Sequence, residues 1–434
     1  MQDMITPIVF TPNEDYVIPT CVAILSILRT KKKNMRYKFY IVVSDKFDRE
    51  YLKFLERVRK LESKFDYQVI QIHSIDYDRQ KITSCHLTSS AYYRMALADV
   101  LMDYDKCIYN DGDIIVCDDL QEMFHVNLDN YYVAGVKEAG WLQKKEANLA
   151  ITRKCGFPFL DDYICSGNLV INLAKMRSDG IQEEFKKQMN KGYRSEDQDV
   201  INVCCYKKKY ILPPKFGIMN RWLYNNALSE MQNQVYSLKE INEAKQSPVV
   251  IHFAGMQVKP WSNLRTAYGE QWWKYAKEIL TELEYAEWYQ RAEKATIKRD
   301  WSYLKRELAA HKSILIFGYG KAGKELFGVL KRWGYSVECF IDSDSAKQKN
   351  CHEGCRVLSV EDALQEFQES VVVNSVQGFS TEIRNQLVMK GVDPNKIIDF
   401  NFKSEVYYLA LAPEWREYEF KDICVKEFGW NVDA

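Results

Sequence analysis

Hydrophobic positions along the first third of the chain switch between two periods. Ile5 to Phe10 is a short apolar run with a β-branched bias, and the next segment sets Val17, Cys21, Ile24, Leu25 and Leu28 on one helical face. Tyr37 to Val43 (YKFYIVV) predicts a buried strand. Tyr51 to Leu61 repeats its apolar residues at three and four and predicts a helix, and Tyr67 to Ile72 predicts another strand. This alternation builds a parallel sheet with helices on both faces. Ligands of such sheets bind beyond the carboxyl ends of the strands, so chemistry is sought in the loops that follow them.

The rhythm breaks and restarts further on. Gln271 to His311 holds neither Pro nor Gly and is rich in Glu, Ala, Lys and Trp, which predicts one or two long helices. Ser313 to Phe317 (SILIF) then opens a second α/β series: a helix, SVECFID, a helix, SVVVNS, a helix and KIIDF. The tail beyond Phe402 carries Tyr407, Tyr408, Trp415, Tyr418, Phe420, Phe428 and Trp430, and is expected to pack on a domain. The expected organisation is an N-terminal α/β domain over 1–265, a helical linker over 266–312, a smaller α/β domain over 313–401 and an aromatic helical tail over 402–434.

Composition narrows the function. At roughly 150 residues per domain, 434 residues make two or three domains. A hydrophobic content of 47% and a charged content of 28% exclude dominant disorder. Lys+Arg and Asp+Glu both number 60, so the basic excess of a nucleic-acid binder is missing. No apolar run reaches the roughly 18 residues of a membrane span, and Met1 to Phe10 lacks a secretory pattern. Twelve cysteines without a CxxC pair read as reduced, in a cytoplasmic protein. Cys351, His352 and Cys355 (CHEGC) have no second cluster to complete four ligands and read as a polar loop. Trp272, Trp273 and Tyr275, with Lys274 and Lys277, are a candidate for peripheral contact with the inner membrane face. Packing of those aromatics against the core is the better reading.

Lys106 to Asn110 (KCIYN) predicts a strand running into Asp111-Gly112-Asp113, with Ile114, Ile115 and Val116 behind it. Two carboxylates about a glycine suit a divalent cation, Mg²⁺ or Mn²⁺, bridging to a diphosphate, and the glycine permits close backbone approach. Asp-Gly is also a common turn pair, so a plain turn stays open for the tripeptide alone. Ser89 to Asp103 predicts a helix with Arg94 near its start, and Tyr163 to Leu173 (YICSGNLVINL) predicts a strand interrupted at Ser166-Gly167. Glu196-Asp197-Gln198-Asp199 predicts the acidic first turn of a helix. In VVIHFAGMQVKPW, His252 ends a strand, with Gly255, Lys259 and Trp261 beyond it. A histidine can complete a metal site with two carboxylates, and a lysine can neutralise a phosphate. Equally, His252 reads as a buried structural histidine, Lys259 as a surface charge and Trp261 as core.

Taken together, IVFTPNEDY, SSAYYRMALADVL, DGDIIV, SGNLVINL, EDQDVIN and HFAGMQVKPW resemble glycosyltransferase family 8, retaining transferases that use nucleotide sugars. The segments stand in the family's order from Ile8 to Trp261, which is far more specific than a single DxD match. The resemblance implies an α/β fold of the GT-A type with a mostly parallel central sheet. It implies Asp111, Asp113 and His252 as ligands of Mn²⁺ or Mg²⁺, and Phe10, Thr11, Asn13, Asp15 and Tyr16 as the uridine-binding opening. Gly255 and Lys259 are implied as phosphate contacts. Arg94, Asp197 and Gln198 are implied as the lining of the donor sugar, Gln198 closest to the anomeric carbon. The implied activity moves glucose or galactose from a UDP-sugar to a glycan or lipid-linked acceptor, as in lipopolysaccharide or cell-surface polysaccharide synthesis. Retention can run through a covalent intermediate on Asp197, or through attack from the leaving group's own face with Gln198 shielding the far side. The resemblance favours the second. The chain departs from the family at Cys165, usually Asn, at Asn110, usually apolar, and at Asn13, commonly Asp.

A second motif lies downstream. Gly318, Gly320 and Gly323 form G-x-G-x-x-G between the SILIF strand and a helix, and Asp342 closes the next strand. This order can place a pyrophosphate on a helix N-terminus and a ribose hydroxyl on a carboxylate. The unit is one mononucleotide-binding half in size and resembles the small Rossmann-like modules appended to bacterial sugar-processing enzymes. It holds a nucleotide, or its glycines only serve strand-to-helix packing. The rival functions are a nucleotide-sugar sensor and a redox or epimerase-type enzyme working through this module.

Overall fold

A computed structural model of the chain describes residues 5–32, 34–73, 89–138, 162–191, 193, 195–219, 236–255, 258–299, 301–376 and 380–400. The aromatic tail lies outside the described residues. The chain divides into two compact units, Met1–Ala254 with Glu270–Tyr285, and Gly255–Gly269 with Ala286–Ala434.

Among the described residues, the first unit holds ten strands: β1 (Ile5–Phe10), β2 (Arg36–Ser44), β3 (Asp66–Ile72), β4 (Lys106–Asn110), β5 (Ile114–Val116), β6 (Val133–Lys137), β7 (Ile164–Asn172), β8 (Lys209–Ile211), β9 (Ile218–Met219) and β10 (Val250–His252). Seven of them form one sheet in the order β3-β2-β1-β4-β7-β6-β8, and β5-β10-β9 form a second. β3, β2, β1 and β4 are parallel, as the early rhythm predicts. β7 then runs antiparallel to both β4 and β6, while β6 and β8 are parallel. The sheet is thus mostly parallel, as expected, with β7 as its antiparallel member.

Helix α1 (Val17–Thr30) connects β1 to β2 and is buried from Val17 to Ile27, not on one face only. A helix apolar all round must be enclosed, and α1 is packed by β5 and by α2 (Lys53–Leu61). α2 buries Phe54, Leu55 and Val58, exposes Lys53, Arg59 and Lys60, and pairs the half-buried Arg57 with Glu284. The segment predicted as a helix over 89–103 is a 3₁₀ run, Ser89–Ala96, followed by one α-turn, Leu97–Val100. β7 is continuous through Ser166-Gly167, not interrupted. Its hydrophobic neighbours Ile164, Leu169 and Ile171 belong to one core with Tyr92, Tyr93, Tyr109 and Val200.

Strand order reverses beside β1. The chain leaves β1 toward β2 and β3, then returns to β4 on the other edge of β1. Such a switch point leaves a crevice at the carboxyl ends of the two diverging strands. Val9 pairs with Tyr109, so the loops beginning at Thr11 and Asp111 lie side by side in that crevice.

The expected long helices are three: Gly269–Ile279, Glu282–Ile297 and Trp301–Leu308. Trp272 and Trp273 are buried and meet edge to face at 5.0 Å, which is packing and not a lipid-facing surface. The second unit carries β11 (Ser313–Phe317), β12 (Ser336–Ile341), β13 (Cys351–His352), β14 (Cys355–Leu358), β15 (Val371–Asn374) and β16 (Ile397–Asp399). Their order is β13-β14-β12-β11-β15-β16, parallel except for the β13–β14 hairpin. CHEGC is thus a tight hairpin turning at Glu353 and Gly354, both at positive φ, the geometry two-residue hairpins prefer.

Candidate active site

Three strands bring the acidic turn and the histidine together. β4 belongs to the large sheet and β5 to the small one, so Asp111-Gly112-Asp113 is the link by which the chain changes sheets. β10 runs antiparallel to β5 with His252 opposite Ile114, and the Phe253 amide donates to the Asp113 carbonyl at 2.9 Å. His252 is thereby held beside Asp113, with Nε2 3.3 Å from Oδ1. Asp111, Asp113 and His252 each offer a ligand atom, all within 4.8 Å of one another. Two carboxylate oxygens and an imidazole nitrogen suit Mn²⁺ or Mg²⁺. Gly112 serves a different neighbour than expected: a Cβ there would stand 2.4 Å from Thr20 Oγ1, so this glycine admits α1.

β7 closes the site from the other side. The Asp111 amide donates to the Gly167 carbonyl at 2.7 Å. A Cβ at Gly167 would lie 2.4 Å from His252 Cε1, 2.8 Å from Asp111 Oδ2 and 2.9 Å from His252 Nε2. The space beside His252 and Asp111 is therefore kept open by the missing side chain. The departure at Asn110 is also resolved: it is buried and accepts a hydrogen bond from Asn168 at 2.9 Å.

Arg94 joins the triad to the acidic helix. Its Nη2 is 2.9 Å from Asp111 Oδ1, its Nη1 is 3.2 Å from Asp197 Oδ2, and its guanidinium lies 4.4 Å over the Tyr109 ring. Nη1 and Nε also donate to the carbonyls of Ser166 and Ala91. Burial opposes the charge of Arg94, but Asp111 and Asp197 outweigh it and hold the guanidinium protonated. Tyr109 donates to Asp111 Oδ1 at 2.7 Å, and its hydroxyl is 3.0 Å from Thr11 Oγ1.

Asp197 and Gln198 open the helix Glu196–Cys204, entered through Glu196 at a φ of 43°. Asp197 Oδ2 accepts from Ser166 Oγ at 3.0 Å. Burial raises the Asp197 carboxyl to about 6, against the lowering effect of Arg94 and with a further push from Asp111. Gln198 is pinned at both ends, its Oε1 accepting from the Ser166 amide and its Nε2 donating to Tyr163 Oη. Tyr163 in turn donates to Asp199 at 2.6 Å. His252 is pushed well above the usual range: burial disfavours its charge, but Asp113 and Cys165 outweigh burial.

The remaining expected residues are placed as follows. Thr11 reaches the site through Tyr109. Phe10 has no exposed surface, Asn13 caps the turn Glu14–Tyr16 by accepting from the Tyr16 amide, and Asp15 is exposed on the same loop. Gly255 takes a φ of 106°, and Lys259, which is buried, lies 6.0 Å over the Trp261 ring; both fall in the second unit. The sequence reading missed Tyr109, Tyr163, Gly167 and Asn168. Only Gly167 carried a signal, as the glycine inside an otherwise apolar strand.

In the second unit, Gly318 has a φ of 106° and Gly323 would place a Cβ 2.0 Å from the Gly318 carbonyl oxygen. Gly318 is set by its backbone conformation and by Val376, and Gly323 by its close approach to the Gly318 carbonyl. Gly320 precedes the helix Lys321–Arg332 in open space. Asp342 accepts from the Tyr319 amide at 2.9 Å and lies 3.3 Å from Lys347. Among the described residues, the only grouping of metal-ligating side chains is Asp111, Asp113 and His252, so CHEGC carries none. No helix among the described residues is long and apolar enough to cross a membrane.

A mostly parallel sheet with an Asp-Gly-Asp link at its switch point defines a GT-A-type α/β fold, followed by a further α/β module. The chain belongs to glycosyl transferase family 8, whose model matches residues 7–265. Residues 310–398 match the C2185-like N-terminal domain. The chain is 29% identical over 203 residues to general stress protein A of Bacillus subtilis, covering 45% of this chain and 67% of that one. It is 28% identical to a lipopolysaccharide 1,2-glucosyltransferase of Escherichia coli, covering 57% of this chain and 71% of the relative. Among solved structures, the bifunctional glycosyltransferase WbbM shares the fold at a TM-score of 0.56 and 22% identity; 67% of this chain matches 52%, about half, of that protein.

Proposed function

We propose that this family 8 enzyme transfers glucose or galactose from a UDP-sugar, with retention, to a glycan or lipid-linked acceptor of the cell surface. The observation that carries the reading is the Asp111–Asp113–His252 grouping, kept open beside His252 and Asp111 by Gly167 and tied through Arg94 to Asp197. The name of the Escherichia coli relative supports a lipopolysaccharide-type acceptor. Asp111, Asp113 and His252 would hold Mn²⁺ or Mg²⁺. When bound, the ion supplies positive charge against the departing diphosphate.

The chain's own residues do the rest. Asp197 supplies negative charge near the sugar as it becomes oxocarbenium-like. Arg94 fixes Asp197 and Asp111 in one frame, so neither carboxylate has to reorganise during the reaction. Gln198, pinned by Ser166 and Tyr163, is a neutral wall rather than a nucleophile. This favours attack from the leaving group's own face. The sugar C1–O bond to the diphosphate breaks, the acceptor oxygen bonds to C1, and the acceptor proton passes to the departing phosphate oxygen. The expected consequence is that Asp113→Asn loses metal-stimulated turnover while keeping its circular dichroism. Unchanged turnover in that variant overturns the assignment.

A further inference from the structure

One contact of His252 lies on the side away from Asp113. Its Nδ1 is 3.7 Å from Cys165 Sγ, and both side chains are buried, at 4% and 7% exposure. The contact follows from the alternation of β7. Side chains two apart share a face of a strand, so Cys165 and Gly167 turn toward His252, whereas Ser166 Oγ reaches Asp197. One strand thus presents its cysteine and glycine to the candidate cation site and its serine to the acidic helix. Among the described residues no other group is hydrogen-bonded to Nδ1.

An imidazole that binds a cation through one nitrogen needs the proton on the other, and the partner of that second nitrogen sets ring orientation and tautomer. We propose that Cys165 is a positioning residue for His252. Its sulfur accepts the Nδ1 hydrogen and holds the Nε2 lone pair on the Asp113 side, where Nε2 already stands 3.3 Å from Oδ1. The proposal rests on reading Asp111, Asp113 and His252 as the cation site. The sulfur is not itself a ligand, since it stands outside the grouping of candidate ligand atoms.

The test is Mn²⁺ binding by calorimetry to the full chain, stripped with chelator, with no sugar present. Cys165→Val fills the same space without an acceptor, and Cys165→Ser keeps an acceptor in less space. The expected result is a loss of about tenfold or more in Mn²⁺ affinity for the valine variant, the usual cost of removing a partner behind a metal ligand. The serine variant is expected to retain most of the affinity. Wild-type affinity in Cys165→Val overturns the proposal, and so does an equal loss in both variants, which would mark packing alone. Absence of Mn²⁺ binding by the unsubstituted chain overturns the cation site itself and this role with it; binding that ignores Cys165 overturns this role only.

Discussion

Gly167 shapes the site by what it lacks. A methyl there would fall within 3 Å of His252 and Asp111 together. Its φ is not in the left-handed region, so alanine is tolerated by the backbone and the effect is steric. Gly167→Ala is therefore expected to lower metal-stimulated turnover at least tenfold, with an overpacking cost of about 1–3 kcal/mol in stability; a fully active variant contradicts this packing. Asp197 adds a pH dependence. With its carboxyl at about 6 because of burial, it is ionised above that pH and protonated below it. If its negative charge steadies the sugar, turnover rises through pH 6 and levels off above. Asp197→Asn at pH 8 should then resemble the wild type at pH 5, and a flat wild-type profile between 5 and 8 counts against the role. The Asp-Gly-Asp link, Arg94 and His252 were legible in the sequence because each sits in a segment with its own pattern. Tyr109 was not, because its duty arises from contacts across strands far apart in sequence; Gly167 showed only as a glycine within an apolar strand, with no local sign of what it faces.

At the scale of elements, β1 through β4 were legible from period alone, and so were β11, β12, β15 and β16; the β13–β14 hairpin, read as a polar loop, was not. What period could not show is direction. The antiparallel run of β7 against β4 brings Gly167 to Asp111, and a buried strand looks alike in either direction. The same limit explains the predicted break at Ser166-Gly167: a glycine in an apolar strand reads as a gap until its neighbour is known. In the second module the glycine pattern was legible, and one of its glycines meets the backbone closely. Gly323→Ala would set a methyl against a backbone carbonyl at 2.0 Å, which cannot give way as a flexible side chain would. Overpacking of this kind costs about 1–3 kcal/mol. The variant should unfold at lower denaturant concentration with an unchanged slope; equal stability would show that this contact is looser than described.

For the whole molecule, the chain combines a GT-A-type family 8 unit with a parallel α/β module. Residues 270–285 pack with the first unit, with Arg29 and Glu278 at 3.1 Å and Arg57 donating twice to Glu284. The alternation of elements identified the fold class, yet it does not name the donor. The most direct measurement is UDP release from a panel of UDP-sugars, without acceptor, in Mn²⁺ and in chelator. The account predicts slow release from UDP-glucose or UDP-galactose that Mn²⁺ supports and chelator abolishes. Release that is indifferent to chelator would contradict it.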